Sequence, residues 1–233
     1  MLMQRVDTQR AYDLILEQIT TLELAPASLI NEQRLAVDLN LPPTSIEEAL
    51  KLLEHEHLVR ITPRHGTYVA DINIPDLEQI SELRLALESL VAGLAAQRAT
   101  PDDLIVLEAI RQEQLATGSQ DPRRLFDIDH KFHQAIAEAA HNKYLAETLN
   151  HLFGLSLRFW YLLLPSGDTV GYLEALPVAV EKHFDLVNAI RGHDAAAAHE
   201  IMRSHVGSFY QAVRRVLAAR TPTAPGGSAS GES

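Results

Sequence analysis

One break in a helical pattern limits what this chain can become. From residue 8 to residue 57 apolar residues recur at the three- and four-residue spacing of amphipathic helices, and that spacing returns from about residue 75 to residue 218. Between the two stretches, residues 58–72 (LVRITPRHGTYVADI) read as short alternating or branched apolar runs around a Pro-Arg-His-Gly turn, the pattern of a β-hairpin. β-Structure is therefore confined to one place near the N-terminus, and the rest must pack as helices.

The segment before the hairpin divides into three helices. TQRAYDLILEQITTLEL sets Ala11, Leu14, Ile15, Gln18, Ile19 and Leu22 on one stripe and stops before Ala25-Pro26. A short second helix runs through NEQRLAVDLN, where Asn31 is placed to accept bonds from the free amides of the first turn. A third begins near Thr44 or Ser45 and turns Ile46, Ala49, Leu50 and Leu53 inward. Helix, helix, helix, hairpin is the order of a winged helix-turn-helix, whose third helix enters the major groove while the wing reaches the neighbouring backbone or minor groove.

After the hairpin no strand pattern recurs. Asp76 after Pro75, Thr100-Pro101-Asp102-Asp103 and Asp121-Pro122 each open a helix with a carboxylate or hydroxyl at its positive end. The fold expected is mainly α: an N-terminal winged helix-turn-helix at 1–72, then an all-α antiparallel bundle of six or seven helices at 73–220. The last residues, TPTAPGGSASGES, bury too little to order themselves, so 221–233 are expected to be a disordered tail. A length of 233 residues with 46% apolar content suffices for two cores.

Composition excludes several functions. The chain has no cysteine, so disulfides, thiolate metal sites and a cysteine nucleophile are ruled out, and any metal must be held by nitrogen and oxygen. A net charge of −11 argues against indiscriminate coating of nucleic acid. No apolar run approaches the roughly 20 residues that span a bilayer, and the start has no signal-peptide shape. A soluble, cytoplasmic protein with no membrane partner is expected.

Four side chains in the second half suggest a shared ion. Asp129 and His133, four residues apart, stand one above the other on a helix. His183 and His205 lie in the later amphipathic stretches EKHFDLVNAI and AHEIMRSHVGSFYQAV. Three neutral imidazoles and one carboxylate suit a divalent transition metal and leave coordination positions for water or a small anion. The plainer reading makes Asp129 a surface charge and His133 a core histidine. His55, His57, His130, His141, His151, His193 and His199 read as surface or packing residues.

The residues also resemble a known family. LINEQRLAVDLNLPPTSIEEALKLLEHEHLVRITPRHGTYV resembles the DNA-binding domain of the GntR superfamily through its L-A-x-x-L core, its E-A-L-x-x-L-E run and its closing R-x-G-x-x-V wing. It departs at the turn and third helix. Where the family usually reads Ser-Arg-Thr-Pro-Val-Arg-Glu-Ala-Leu, this chain has Pro42-Pro43-Thr44-Ser45-Ile46-Glu47-Glu48-Ala49-Leu50, so Pro43 and Glu47 replace both arginines. Residues 1–72 hold six basic against eleven acidic side chains, net −5. The remaining candidates for DNA contact are Arg34, Thr44, Ser45, Arg64, His65 and Gly66.

The bundle resembles the FCD-type ligand-sensing domain of the FadR-like branch of GntR regulators. ELRLALESLVAGLAA, D-x-x-x-H-x-x-I followed by Asn142, E-x-H-x-x-L-x-x-A-I-x-x-x-D and M-x-x-H-V carry this likeness, and the resemblance runs from about residue 8 to residue 218. It implies that Asp129, His133, His183 and His205 bind a divalent ion, with a small carboxylate as effector; nitrogen and oxygen ligands admit zinc, nickel, manganese or iron, with zinc or nickel expected first. It also implies a homodimer on double-stranded operator DNA. Arg84 matches an arginine that often faces the cavity in this family and can fork onto a carboxylate, or else pair with Glu88 one turn on. Arg158 is a second candidate for the pocket, beside Trp160 and Tyr161, which read as core or dimer packing.

The chain is therefore expected to be a metabolite-responsive, non-enzymatic transcriptional regulator. The alternatives are a metal-dependent hydrolase, or a regulator-like protein whose DNA binding is lost or altered. The hydrolase reading lacks H-E-x-x-H, G-x-S-x-G and a P-loop, and its candidate bases Asp127 and Glu138 do not share the face of Asp129.

Overall fold

The computed structural model describes residues 2–117, 121–161 and 181–220. The expected tail at 221–233 lies outside the described residues, as does the side chain of Trp160. The N-terminal unit is built from α1 (Leu2–Thr20), β1 (Leu29–Ile30), α2 (Glu32–Asp38), α3 (Pro43–His55), β2 (Val59–Thr62) and β3 (Gly66–Val69). Ala11, Ile15 and Ile19 of α1 pack with Leu35 of α2, with Ile46, Ala49, Leu50 and Leu53 of α3, and with Val59 and Val69 of the strands.

Local chemistry accounts for most of these boundaries. Asn31 Oδ1 accepts from the Arg34 amide at 2.9 Å and caps α2. The third helix starts at Pro43, one or two residues before the expected Thr44 or Ser45, because the N–H that proline lacks has no helical partner in a first turn. α1 ends at Thr20, and Leu22, expected on its stripe, sits beyond the end with φ 63. The hairpin forms at the Pro-Arg-His-Gly turn, pairing Val59 with Val69 and Thr62 with Gly66. Arg64 and Gly66 take positive φ there, and Gly66 at 105° occupies a region that side-chain-bearing residues rarely adopt. β1 adds a third strand, Leu29 opposite Tyr68 and Ile30 opposite Thr67, giving the order β1-β3-β2. Glu54 of α3 accepts from the Ile61 amide at 2.9 Å, tying the wing to α3.

The described bundle comprises α4 (Ile74–Arg98), α5 (Pro101–Thr117), α6 (Pro122–Ala139), α7 (Lys143–Tyr161), helical residues 181–191 as α8, and α9 (Ala195–Arg220). Asn73 caps α4 by accepting from the Asp76 amide, Thr100 and Asp103 cap α5 reciprocally, and Asp121 accepts from the Arg124 amide at the start of α6. α4 and α9 run antiparallel. Glu78 meets Tyr210 and Arg214 at one end, and a side chain added at Gly93 would meet the Ala195 carbonyl at the other. Small residues allow this approach: Ala92, Ala95 and Ala96 of α4 are fully buried in the main core, together with Ala198 and Met202 of α9.

The two units meet along α7. Leu155 packs against the N-terminal core, and Arg158 Nη2 donates to the carbonyl of Ala70, just after β3.

Ala95→Leu should overfill the α4–α9 contact and destabilise the protein by about 1–3 kcal/mol, lowering the melting temperature by about 2–12 °C. Thermal unfolding followed by circular dichroism tests this; an unchanged melting temperature would contradict close packing at this seam.

Candidate functional site

Three helices deliver four buried donors to one point. α6 carries Asp129 and His133 one turn apart, α8 carries His183, and α9 carries His205. One ligand atom from each lies within 4.8 Å of all the others. His205 Nε2 is 3.0 Å from His133 Nε2 and 3.2 Å from His183 Nε2. Asp129 Oδ1 is 3.3 Å from His183 Nε2 and 3.8 Å from His205 Nε2, and its Oδ2 is 3.8 Å from His133 Nε2. Metal–nitrogen bonds of about 2.0–2.1 Å separate tetrahedral ligands by about 3.3–3.4 Å, so the donor set fits a transition-metal ion.

Proton accounting points the same way. His133 Nδ1 lies 2.5 Å from Glu88 Oε2, a carboxylate that accepts only, so in neutral His133 the proton belongs on Nδ1 and Nε2 offers a lone pair. His183 Nδ1 lies 3.0 Å from Gln114 Oε1, which fixes the same tautomer. His205 Nε2 faces both lone pairs and carries at most one proton, which can serve only one of them. A cation at the convergence point would satisfy all the donors together. Orientation of ligating imidazoles by an outer carboxylate or amide is the usual support of a metal site.

Glu88 of α4 and Gln114 of α5 were not singled out as supports in the sequence. Glu88 entered only as a helix neighbour of Arg84, and Gln114 not at all. Their roles come from α4 approaching α6 and α5 approaching α8, which no local spacing encodes.

The electrostatics suit this assignment. Burial alone would raise the Asp129 carboxyl, but the imidazoles of His133, His183 and His205 outweigh it and hold the group well below the ordinary carboxylate range. Burial would likewise raise Glu88, and Arg84 and His133 reverse that. Burial pulls His183 down, and pulls His205 far down with help from the neighbouring imidazoles, so both stay neutral as ligands must. His133 is also desolvated, yet Glu88 and Asp129 push it up.

Arg84 is 3% exposed. Its Nε donates to Glu88 Oε1 at 2.6 Å, and its guanidinium lies 4.4 Å from the Phe153 ring centre and 5.4 Å from that of Phe209. Its Nη1 is buried without a hydrogen-bond partner. The expected pairing with Glu88 is therefore present, and one guanidinium nitrogen is left without a partner. The structure does not bring Arg158 to this cluster. Its bond to Ala70 places it at the junction of the two units, where burial pulls its guanidinium down to about 10 despite Asp71 and Asp76 nearby. Tyr161 is buried, with its ring 6.4 Å from that of Phe126.

On the N-terminal unit, Thr44 is exposed on α3, and Arg64, His65 and Gly66 are exposed together at the wing turn. Arg34 is exposed and pairs with Asp38 at 3.3 Å. Ser45 differs from expectation: it is fully buried, its Oγ has no partner, and it faces the interior beside Ile46. Glu47, one turn from Lys51, holds its ammonium at 2.7 Å on the exposed face.

Comparison with known proteins agrees with this organisation. Residues 7–69 match the family model "Bacterial regulatory proteins, gntR family", and residues 79–208 match the FCD domain model. The HTH-type transcriptional repressor RspR of Escherichia coli (strain K12) is 26% identical over 209 residues, covering 89% of each chain. The HTH-type transcriptional repressor GlaR of the same organism is 27% identical over 178 residues, covering 74% of this chain and 80% of the relative. Among solved structures, E. coli McbR/YncC superposes with a TM-score of 0.79 at 19% identity, covering 90% of this chain and 98% of that one, which establishes likeness of fold. Among the described residues no helix is long and apolar enough to cross a membrane. This chain belongs to the GntR family of bacterial transcription regulators and carries an FCD domain.

Proposed function

We propose that this regulator senses a small carboxylate at a metal centre. In this reading residues 1–72 bind operator DNA, and residues 73–220 hold a divalent transition metal, zinc or nickel, on Asp129, His133, His183 and His205. The observation that carries it is the convergence of four buried donor atoms within 4.8 Å, with the outer nitrogens of two imidazoles fixed by Glu88 and Gln114. The bound ion supplies a Lewis-acid anchor for an anion. Arg84 supplies the second anchor, through the Nη1 that lacks a partner in the protein.

α7 is the element suited to carry the response. Its Phe153 touches both Arg84 and His133, while its Leu155 and Arg158 touch the N-terminal unit. An effector that alters the seat of Arg84 changes what Phe153 packs against, and with it the favoured placement of α7. The protein acts in the cytoplasm as a homodimer, presenting two winged units to a two-fold operator. A hydrolytic role has less support, because Asp127 and Glu138 are exposed while the four donors are buried.

Native mass spectrometry with elemental analysis tests the centre directly. Purified protein should appear as a dimer with about one transition-metal ion per subunit, and His183→Ala should lose most of it. Absence of metal after zinc or nickel is offered would sink this reading. Glu88→Gln keeps the shape and removes the charge behind His133. It should weaken metal affinity by about 10- to 100-fold, measured by competition with a chelating dye, and unchanged affinity would show that Glu88 does not support the site.

A further inference from the structure

The exposed face of α3 carries an unusual reading head. Ser45, Ile46, Ala49, Leu50 and Leu53 are buried, leaving Thr44, Glu47, Glu48 and Lys51 as the polar side chains on the outer face of its first turns. Glu48 is drawn back toward α1, where Thr8 Oγ1 donates to its carboxylate at 2.8 Å. Glu47 and Lys51 remain together, joined at 2.7 Å across one turn and each more than half exposed. Their charges cancel, so the carboxylate can approach a phosphate-lined groove with its counter-charge built in.

We propose that the Glu47–Lys51 pair reads a C·G base pair, with the Glu47 carboxylate accepting from the cytosine N4 amine and Lys51 donating to the paired guanine. This rests on the reading that α3 enters the major groove. An ionised carboxylate only accepts hydrogen bonds. In the major groove the donors are the amines of cytosine and adenine, whereas guanine N7 and O6 and thymine O4 are acceptors that repel it. Adenine places its N7 acceptor beside its amine, which disfavours a carboxylate there. Cytosine has no such neighbour of its own, and the O6 beside its amine belongs to the paired guanine, within the chemistry of an ammonium. The pair thus presents an acceptor and a donor side by side, and a C·G pair presents their complements.

Selection of binding sites from a random duplex library by the full-length dimer, followed by fluorescence anisotropy on single-position probes, tests this. Wild type should recover one C·G position in each half-site, and its exchange for T·A should weaken binding by about 5- to 150-fold. Glu47→Gln should lose the cytosine preference there. Glu47→Arg should shift it to guanine and steepen the dependence of binding on salt. Recovery of a specific site whose base preferences are the same in all three proteins would overturn the base-reading role while leaving DNA binding intact. If wild type selects no sequence, the DNA-docking reading fails and this proposal falls with it. Glu47 is 59% exposed, and circular dichroism verifies that the variants fold.

Discussion

Arg84, Glu88 and His133 form a buried chain of charge on which the geometry of the bundle depends. Taking an arginine and a glutamate out of water costs several kcal/mol per ion, which close pairing offsets. Here both Glu88 oxygens are used, Oε1 by Arg84 and Oε2 by His133, and the guanidinium stacks against Phe153. The chain fixes α4 against α6 and α7 and aims the free nitrogen of His133 at His205. Two buried carboxylates, Asp129 and Glu88, face one buried guanidinium. The upward displacement of His133 is this deficit of positive charge expressed in protons. A divalent cation between the four donors would correct the same deficit with more charge and better-directed bonds.

The placement of Arg158 follows from helix geometry. Phe153 and Arg158 are five residues apart on α7, so at 3.6 residues per turn they diverge by about 140° around the axis. If Phe153 faces the donor cluster, Arg158 must face elsewhere, and the Ala70 carbonyl is what it finds. Nearness in sequence to Trp160 and Tyr161 suggested a pocket residue, whereas the angular position makes it a link between the units. The same divergence lets one helix touch the donor cluster on one face and the N-terminal unit on another.

Where a signal is local, the sequence carried it. Asn31, Asp121 and Thr100 cap helices as their chemistry demands, the Pro-Arg-His-Gly turn makes the wing, and the four-residue spacing of Asp129 and His133 survives into the structure. The convergence of His183 and His205 with that pair was legible through resemblance, since no spacing joins positions so far apart. Gln114 stayed hidden because a buried glutamine has no periodic mark. β1 stayed hidden because two residues cannot show an alternation. Ser45 was expected at the DNA surface from its place in the turn and third-helix segment, and it is buried because it shares the inward face of α3 with Ala49 one turn on.

A DNA-binding unit of net −5 has a specific physical consequence. Non-specific affinity for a duplex comes almost entirely from cations displacing counterions at phosphates, and here acidic groups outnumber the six basic ones. All six are exposed, but Arg34 and Lys51 are paired with carboxylates, Arg60 lies against the Tyr68 ring, and Arg64 stands at the wing turn beside His65. Such a unit gains little from an arbitrary sequence, so a larger share of its binding energy must come from base edges and groove shape. Weak background binding and sharp discrimination would then have a common origin, because a charge-balanced Glu47–Lys51 pair in place of an arginine lowers affinity for every site except the one whose bases complement it.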